Sequence, residues 1–280
     1  MNQRQFDKFR RLTHDLTGVS IAETRRSMLT SRVGRRMRAL AMECLDDYYS
    51  AVLEDPSEQA MFVDKVTTHE TYFFRTDRVW DYLQHRFLPQ FHANNPGAEC
   101  RVWSAAASTG EEAYSVAMMM DQYRRLNPSF RYSVFASDIS EEVIKTCQAG
   151  VYSGRPISRL KQSRPEFFRQ YFEEAGDGFK VVDLIKNNVK FAAHNLFDTG
   201  GISATFDLVL CRNVLIYFNQ EDQRQVLNNV RTVIADGGVL IIGEAENLPQ
   251  DDRSFLVVEA LVYQASREND VLASPVAMSA

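Results

Sequence analysis

Residues 102–115 read VWSAAASTGEEAYS and combine the residue types of a ligand-binding loop with a shortage of glycine. An apolar lead-in is followed by small side chains, one glycine and the carboxylates Glu111 and Glu112. A strand, a small-residue loop and a helix in this order are typical of nucleotide sites. A pyrophosphate needs GxGxxG because it approaches the backbone closely, and two carboxylates at the helix start would repel it. The loop therefore disfavours a nicotinamide dinucleotide and favours a ligand with a cationic amino group.

Polar residues also follow two other apolar runs, at the points where strands should end. Asp138 closes YSVFASD, Arg212 and Asn213 close FDLVLCRN, and Tyr217 lies just beyond. The carboxyl ends of parallel strands meet at one sheet edge, where ligands bind. An aspartate there can accept hydrogen bonds from both ribose hydroxyls, or it can instead cap the next helix. Together with the loop, Asp138 indicates an adenosine-type ligand.

A third polar segment, HETYFFR at residues 69–75, precedes these strands. A turn followed by a helix start would aim His69, Thr71 and Arg75 at one point, whereas the two phenylalanines are interpreted as packing residues. The segment is therefore predicted to contribute to the same site.

Other elements must hold these residues in place. The hydrophobic pattern of residues 1–85 predicts a segment made of helices. In the helix predicted at 22–42, the residues Leu29, Val33, Met37 and Leu40 form an apolar stripe. The opposite side carries arginines with few acidic partners in the helix: Arg25, Arg32, Arg35, Arg36 and Arg38. Such an arc is either a solvated face or a surface that binds an acidic partner, and we favour the second interpretation.

From about residue 98 the pattern changes to alternating strands and helices, which predicts a parallel sheet with helices on both faces. Residues 254–266 are predicted to form a closing antiparallel strand or hairpin. Residues 150–188 interrupt the alternation with glycines and prolines and predict a small β excursion. The predicted strands are 100–105, 132–138, 189–196, 206–213 and 239–246, and the predicted helices are 111–126, 140–149 and 220–234.

Composition restricts the classes of protein that this chain can be. The chain has 280 residues, 45% of them apolar, and a formal net charge of −5. Its four cysteines lie far apart without a CxxC pair and its five histidines are scattered, which argues against a metal centre. The N-terminus is charged, and no apolar run approaches the ~20 residues that span a bilayer. We therefore expect a cytoplasmic protein without metal or membrane insertion.

The ordered series TTHETYFFR, RVWSAAASTGEEAYS, VFASDIS, HNLFD and LCRNVLIYF resembles the motifs of the CheR family over residues 6–265. Members of that family are glutamate O-methyltransferases of chemotaxis receptors that use S-adenosylmethionine. The resemblance implies an all-α receptor-recognition domain at 1–88. It also implies a class-I, Rossmann-like α/β methyltransferase domain with a mostly parallel sheet at 89–280. A small antiparallel β-subdomain would be inserted at about 150–190 and a disordered tail would begin at about 267.

The resemblance also implies roles for particular residues, and it places Tyr217 beside the reacting methyl group. Since the reaction needs alignment rather than a base, we expect Arg75 to orient the substrate carboxylate, so these two are the predicted catalytic residues. The carboxylate that meets the cofactor would be Glu111 or, by preference, Glu112, and the family usually has asparagine where this chain has His69. The predicted contacts to S-adenosylmethionine, and to its product S-adenosylhomocysteine, are Thr71, Arg75, Glu112, Asp138, Asn195, Leu196, Arg212 and Asn213.

The implied partners are the cytoplasmic methylation helices of chemoreceptors, drawn in by the arginines of helix 22–42, and the protein is expected to be monomeric. The short stretch EEAGDGFK at 173–180 is typical of members that do not require a receptor pentapeptide. A non-enzymatic adaptor is disfavoured because Arg75, Asp138 and Tyr217 are intact. A nucleic-acid methyltransferase is disfavoured because the strand end at 206–213 lacks an Asn/Asp-Pro-Pro-aromatic pattern. A small-molecule methyltransferase stays as an alternative.

Overall fold

A computed structural model of the chain describes residues 1–198, 200–249 and 251–266; the tail predicted to be disordered lies outside these residues. The first segment is helical, and its apolar side chains form a core of their own around Phe9, Leu29 and Phe62. Its helices are α1 (Gln3–Thr17), α2 (Arg26–Ala39), α3 (Leu45–Glu54) and α4 (Pro56–Val66). The prediction of a helical N-terminal segment is confirmed.

The basic helix is shorter than predicted. It begins as a 3₁₀ turn at Glu23–Arg25, and α2 ends at Ala39. Leu29, Val33 and Met37 are buried as expected, but Leu40 is 37% exposed, so its place in the apolar stripe was wrong. The reason is local: Ala41 has a φ of 54°, which ends the helix before Leu40 can turn inwards.

The rest of the chain contains the other helices, and two of them precede the sheet. A π-helical turn at Leu83–Phe87 joins α5 to α6, and Trp80, Leu83 and Leu88 are buried in the core beside the sheet. The domain boundary placed at residue 88 stays a prediction. The remaining helices are α5 (Asp77–Tyr82), α6 (Leu88–Asn94), α7 (Glu111–Leu126), α8 (Glu141–Ala149), α9 (Arg155–Ser163), α10 (Pro165–Tyr171), α11 (Asp183–Lys186) and α12 (Gln220–Val233).

The strands form two sheets within the described residues. They are β1 (Glu99–Ser104), β2 (Arg131–Asp138), β3 (Val151–Tyr152), β4 (Phe172–Ala175), β5 (Gly178–Val181), β6 (Val189–Ala193), β7 (Phe206–Cys211), β8 (Ile234–Ile242), β9 (Phe255–Glu259) and β10 (Val262–Ala265). The main sheet has the order β6-β2-β1-β7-β8-β10-β9. Its first five strands are parallel, and β10 is antiparallel to both of its neighbours. The predicted Rossmann-like fold with a terminal antiparallel hairpin is confirmed.

The small sheet, in the order β3-β5-β4, is antiparallel and confirms the predicted β excursion. Helices α9 and α10 within it were missed, because Pro156 and Pro165 suggested an irregular chain. Both prolines lie in the first turn of a helix, where the missing N–H has no helical partner to lose. Ile157 and Leu160 then bury one face of α9.

Strand β8 also departs from expectation, since the sequence predicted a strand at residues 239–246. Instead β8 starts at Ile234 and runs through Gly237 and Gly238. Its pairing with β7 is irregular between Phe206 and Leu208, and Gly237 has a φ of 77°. Gly237 and Gly238, which are typical turn residues, therefore form a bulge inside the strand. Pairing with β7 stabilises this arrangement more than a local turn would.

Two further observations concern the described residues only. None of their helices combines the length and the apolar character needed to cross a membrane. Their histidine, cysteine and acidic side chains nowhere form a group of three or more that could hold a metal ion.

An ion pair joins α2 to α4 inside the helical segment. Arg36 donates from Nε to Glu58 Oε1 at 3.0 Å and from Nη2 to Oε2 at 2.5 Å. Glu58 is buried, whereas the Arg36 side chain is 21% exposed. The pair is partly shielded from water, so losing one partner leaves a charge poorly compensated.

We predict that Glu58→Gln lowers the free energy of unfolding by about 2 kcal/mol, because the Arg36 guanidinium keeps its charge without a counter-ion. Urea unfolding followed by circular dichroism measures the change. The matched control is Asp7→Asn, which breaks the exposed pair with Arg10 and should cost less than about 1 kcal/mol. Equal losses in both variants would contradict the prediction.

Candidate active site

The carboxyl ends of β1, β2 and β7 open on one cleft of about 1060 Å³, a volume that includes its open mouth. Parallel strands bring these ends to a single edge, as the sequence predicted. The cleft is lined by Tyr217, by His69 and by every residue predicted to contact the cofactor: Thr71, Arg75, Glu112, Asp138, Asn195, Leu196, Arg212 and Asn213.

The loop after β1 is shaped by two residues in the left-handed region. Ser108 has a φ of 50° and donates its N–H to Asp138 Oδ2 at 2.8 Å. Gly110 has a φ of 96° and precedes α7, and a Cβ there would lie 2.8 Å from the Tyr152 hydroxyl oxygen. This position therefore requires the one glycine of the loop, while alanine and serine fill the others.

The two carboxylates at the start of α7 have different surroundings. Glu112 lines the cleft, and Glu111 does not. Glu111 is buried and accepts a hydrogen bond from Thr109 Oγ1 at 2.6 Å. Burial raises the pKa of both carboxyl groups. Of the two candidates, only Glu112 can therefore meet a ligand in the cleft.

One guanidinium, that of Arg212, joins three walls of the cleft. Its Nη1 donates to Glu112 Oε2 at 2.8 Å and its Nη2 donates to the Arg75 carbonyl oxygen at 2.9 Å. The side chain is only 1% exposed, and within the described residues its Nε has no partner. Ser104 Oγ donates to the other oxygen of Glu112 at 2.9 Å. Arg212 thus borders the site while two of its five N–H donors bind other residues of the cleft.

Asp138 is buried at the end of β2, and its carboxylate connects two loops. Oδ2 accepts the Ser108 N–H, and Oδ1 accepts the Ser140 N–H at 3.1 Å. The alternative role as a helix cap belongs to Ser140, whose hydroxyl accepts the Val143 N–H. Burial raises the pKa of Asp138 above its ordinary range. Each carboxylate oxygen has two acceptor sites, so each retains one for a ligand.

The HETYFFR segment lies where it was expected. Phe73 and Phe74 are buried, as predicted for packing residues. The Arg75 guanidinium contacts the Glu70 carbonyl oxygen at 3.3 Å, and no acidic side chain of the described residues forms an ion pair with it. His69 Nε2 lies 2.9 Å from Thr67 Oγ1. Arg75 is therefore a cation at the cleft that is available to an anionic group.

The helical segment also lines the cleft, which the sequence did not indicate. The last residue of α1, the chain between α1 and α2 and the start of α2 contribute Thr17, Val19, Ile21, Arg25 and Met28. The Ser20 N–H donates to the Tyr217 carbonyl oxygen at 2.8 Å. Gly18 has a φ of 70°, and a Cβ there would overlap the Phe197 ring. No sequence motif indicates that residues 17–21 contact the methyltransferase-like part of the chain. Gly18 was the only local sign of a turn there. His194 and Ser108, which also line the cleft, were likewise not singled out.

The arginine arc is less uniform than predicted. Arg36 has an acidic partner in Glu58, and Arg32 Nη1 donates to the carbonyl oxygens of Val66 and Thr67 at 2.6 Å each. These two arginines hold α4 and the chain leading to HETYFFR, so they have partners outside their own helix, where the sequence pattern did not look. Arg25, Arg35 and Arg38 are exposed. The Arg25 guanidinium carbon lies 5.8 Å from the centre of the Tyr217 ring.

Comparison with known sequences gives a family for this chain. Residues 4–67 match the CheR methyltransferase all-alpha domain, and residues 69–263 match the CheR methyltransferase SAM binding domain. The chemotaxis protein methyltransferase of Salmonella typhimurium is 33% identical over 96% of this chain and 92% of its own. The chemotaxis protein methyltransferase of Escherichia coli is 32% identical, over 96% and 93%. The chemotaxis protein methyltransferase Cher2 of Pseudomonas putida is 31% identical, over 93% and 97%.

The two matches follow one another along the chain and together extend over the helical segment and the main sheet. The chain belongs to the CheR methyltransferase family.

Proposed function

We propose that this protein transfers a methyl group from S-adenosylmethionine to glutamate side-chain carboxylates of chemoreceptors and so forms glutamate methyl esters. The observation that carries the proposal is the set of groups around one cleft. A carboxylate at Glu112 in the first turn of α7, a guanidinium at Arg75 and a buried carboxylate at Asp138, the last residue of β2, line the same cleft. Membership of a family of chemotaxis methyltransferases with a SAM-binding domain supports the choice of reaction.

The side chains present fit S-adenosylmethionine. Glu112 would hold its ammonium group, because each of its oxygens accepts one hydrogen bond and retains a second site. Asp138 would accept the ribose hydroxyls through the sites that Ser108 and Ser140 leave free. Asn195 and Leu196 would border the adenine. When bound, the cofactor supplies a methyl group on a positively charged sulfur.

The residues of this chain then have to position the acceptor rather than activate it. A glutamate side chain has a pKa of about 4.3 and is already ionised near pH 7, so no base is required. Arg75 orients the substrate carboxylate through its exposed guanidinium, and Tyr217 borders the reacting position. Val19 and Ile21 form an apolar wall that would keep water from that side of the cleft and so strengthen these charge interactions.

Recognition of the receptor falls to the exposed arginines of the basic helix. Arg25, Arg35 and Arg38 would attract an acidic helix, and Arg25 lies over the Tyr217 ring at the cleft. The tight β4–β5 turn at residues 175–178 supports the subtype that does not require a pentapeptide. A monomeric, cytoplasmic protein is part of the same proposal.

The overall proposal is tested by supplying purified protein, radiolabelled S-adenosylmethionine and receptor-containing membranes. We expect label on the receptor that is released as methanol by alkali, since esters are alkali-labile. Alkali-stable label would indicate another acceptor atom. Cofactor binding without any transfer would favour the adaptor.

For Asp138 we predict that replacement by alanine weakens binding of S-adenosylhomocysteine roughly 30-fold or more, because hydrogen bonds to a charged group are lost. Isothermal titration calorimetry measures the affinity. Asp81→Ala, a change at an exposed aspartate of α5, is the matched control and should bind normally. Unchanged affinity in Asp138→Ala would exclude a role in ribose binding.

Cofactor binding should also depend on pH. Burial raises the pKa of Asp138 and Glu112, so both take up protons at a higher pH than exposed carboxyl groups do. The affinity for S-adenosylhomocysteine should therefore fall as the pH decreases from 7 towards the ordinary aspartate pKa of about 3.9. Calorimetry across this range measures it, and Asp138→Asn should show a flatter profile. A pH-independent affinity would contradict the prediction.

For the basic helix we predict that Arg35→Glu/Arg38→Glu lowers receptor methylation about tenfold at low salt and leaves cofactor affinity within about twofold. Arg32 and Arg36 are unsuitable for this test because they hold the fold. The control is Arg169→Glu/Arg253→Glu, which makes the same change in net charge at exposed sites on other elements. Equal loss in both double variants would show an effect of net charge rather than of this surface.

A further inference from the structure

A buried carboxylate outside the predicted site, Glu246, lies beneath the loop that carries Arg212, Asn213 and Tyr217. Glu246 follows β8 and is 4% exposed. Within the described residues it forms no ion pair, and its hydrogen bonds come from backbone N–H groups. A buried carboxylate held in this way needs an explanation, because removing it from water is costly unless its acceptors are satisfied.

The hydrogen-bond partners of Glu246 show which parts of the backbone its side chain connects. Oε2 accepts the Asn213 N–H at 2.9 Å and the Gly243 N–H at 2.5 Å, and Oε1 lies 3.4 Å from the Ile216 nitrogen. One side chain therefore ties the turn after β8 to both ends of the segment 213–216. Hydrogen bonds to a charged acceptor are stronger than neutral ones.

The backbone at these positions depends on such support. Asn213 has a φ of 59°, a left-handed conformation that non-glycine residues seldom adopt. Gly243 lies against it, and a Cβ there would be 2.7 Å from Glu246 Oε2 and 2.8 Å from the Asn213 nitrogen. The close approach of the two turns therefore requires a glycine at position 243, and the Glu246 carboxylate bridges the N–H groups of both turns.

The supported segment leads directly to the cleft. Tyr217 donates its N–H to the Val214 carbonyl oxygen at 3.1 Å, which closes the 3₁₀ turn Leu215–Tyr217. On the opposite side the Tyr217 carbonyl oxygen accepts the Ser20 N–H. The ring is thus placed by an interior contact at Glu246 and an outer contact at the helical segment.

We propose that Glu246 is a positioning residue for methyl transfer, acting through the backbone of residues 213–217 to hold Tyr217 at the reacting position. The inference deepens the proposed function and rests on it. Glu246 does not line the cleft, so it acts without touching cofactor or substrate. Of the predicted cofactor contacts, Glu112 in α7 and Asp138 in β2 are not held by Glu246, whereas Asn213 is held through its backbone N–H alone.

The first test reads the backbone and needs no activity. Hydrogen–deuterium exchange with mass spectrometry compares the wild type, Glu246→Gln and Glu246→Ala. Peptides covering 212–218 should lose protection in both variants, less in Glu246→Gln because one carbonyl oxygen still accepts, while peptides of α7 keep theirs. The control Glu244→Gln changes an exposed glutamate of the same turn and should match the wild type. Unchanged exchange at 212–218, or loss of protection throughout the chain, overturns the proposal.

The second test separates chemistry from binding. Once the wild type has been shown to methylate receptors, Glu246→Gln should lower kcat about tenfold and change the affinity for S-adenosylhomocysteine less than about threefold. In a Tyr217→Ala background the same substitution should cost less than about twofold, since the two residues act through one contact chain. A parallel loss of affinity, or a full additional loss in the Tyr217→Ala background, overturns the proposal.

The two tests also distinguish a failure of the proposed function from a failure of the role proposed for Glu246. If the wild type does not transfer methyl groups, the proposed function fails, and the exchange experiment still decides whether Glu246 holds the segment. If the wild type is active and Glu246→Gln keeps its kcat, the proposed function stands and the role of Glu246 is excluded.

Discussion

The ion pair between Arg212 and Glu112 is the contact on which the cleft depends. It joins the end of β7 to the start of α7 at 2.8 Å, and the second terminal nitrogen of Arg212 binds the carbonyl oxygen of Arg75. Three parts of the chain that are distant in sequence are therefore held by one buried guanidinium. Arginine suits this role because its planar group donates in several fixed directions. A lysine would supply the charge but could not make the same set of bonds.

The negative charge in the cleft has a cost that the ligand is suited to relieve. Burial raises the pKa of Glu112 and Asp138, which means that each ionised carboxylate is less favourable here than in water. Backbone N–H groups offset part of this cost at Asp138. A cationic ligand with hydroxyl groups would offset more, whereas a diphosphate would add to the repulsion. The scarcity of glycine in the loop after β1 and the carboxylate of Glu112 thus favour the same kind of ligand. Both suit a cationic ligand rather than a diphosphate.

Features set by local chemistry could be predicted from the sequence. The helix at 111–126, the Ser140 cap and the meeting of strand ends at one edge follow from periodicity, capping and parallel topology. The small helices beside Pro156 and Pro165 and the start of β8 at Ile234 could not, because tertiary pairing decided among permitted local conformations. The partners of Arg32 and Arg36 also escaped prediction, since Glu58 and the end of α4 approach them only in the folded helical segment.

The helical segment, which carries the arginines proposed to bind the receptor, also forms one wall of the cleft proposed for methyl transfer. Residues 17–21 close one side of the cleft, and Gly18 packs so tightly on Phe197 that no side chain fits between them. A further link joins His14 Nε2 to Asp222 Oδ2 at 2.8 Å. Since Arg25 also lies over Tyr217, a receptor helix that binds the exposed arginines would act on a surface continuous with the reacting position. Under the proposed function, docking and alignment of the acceptor carboxylate would therefore share one set of contacts. The helical segment would serve both through its contacts with Phe197, Asp222 and Tyr217.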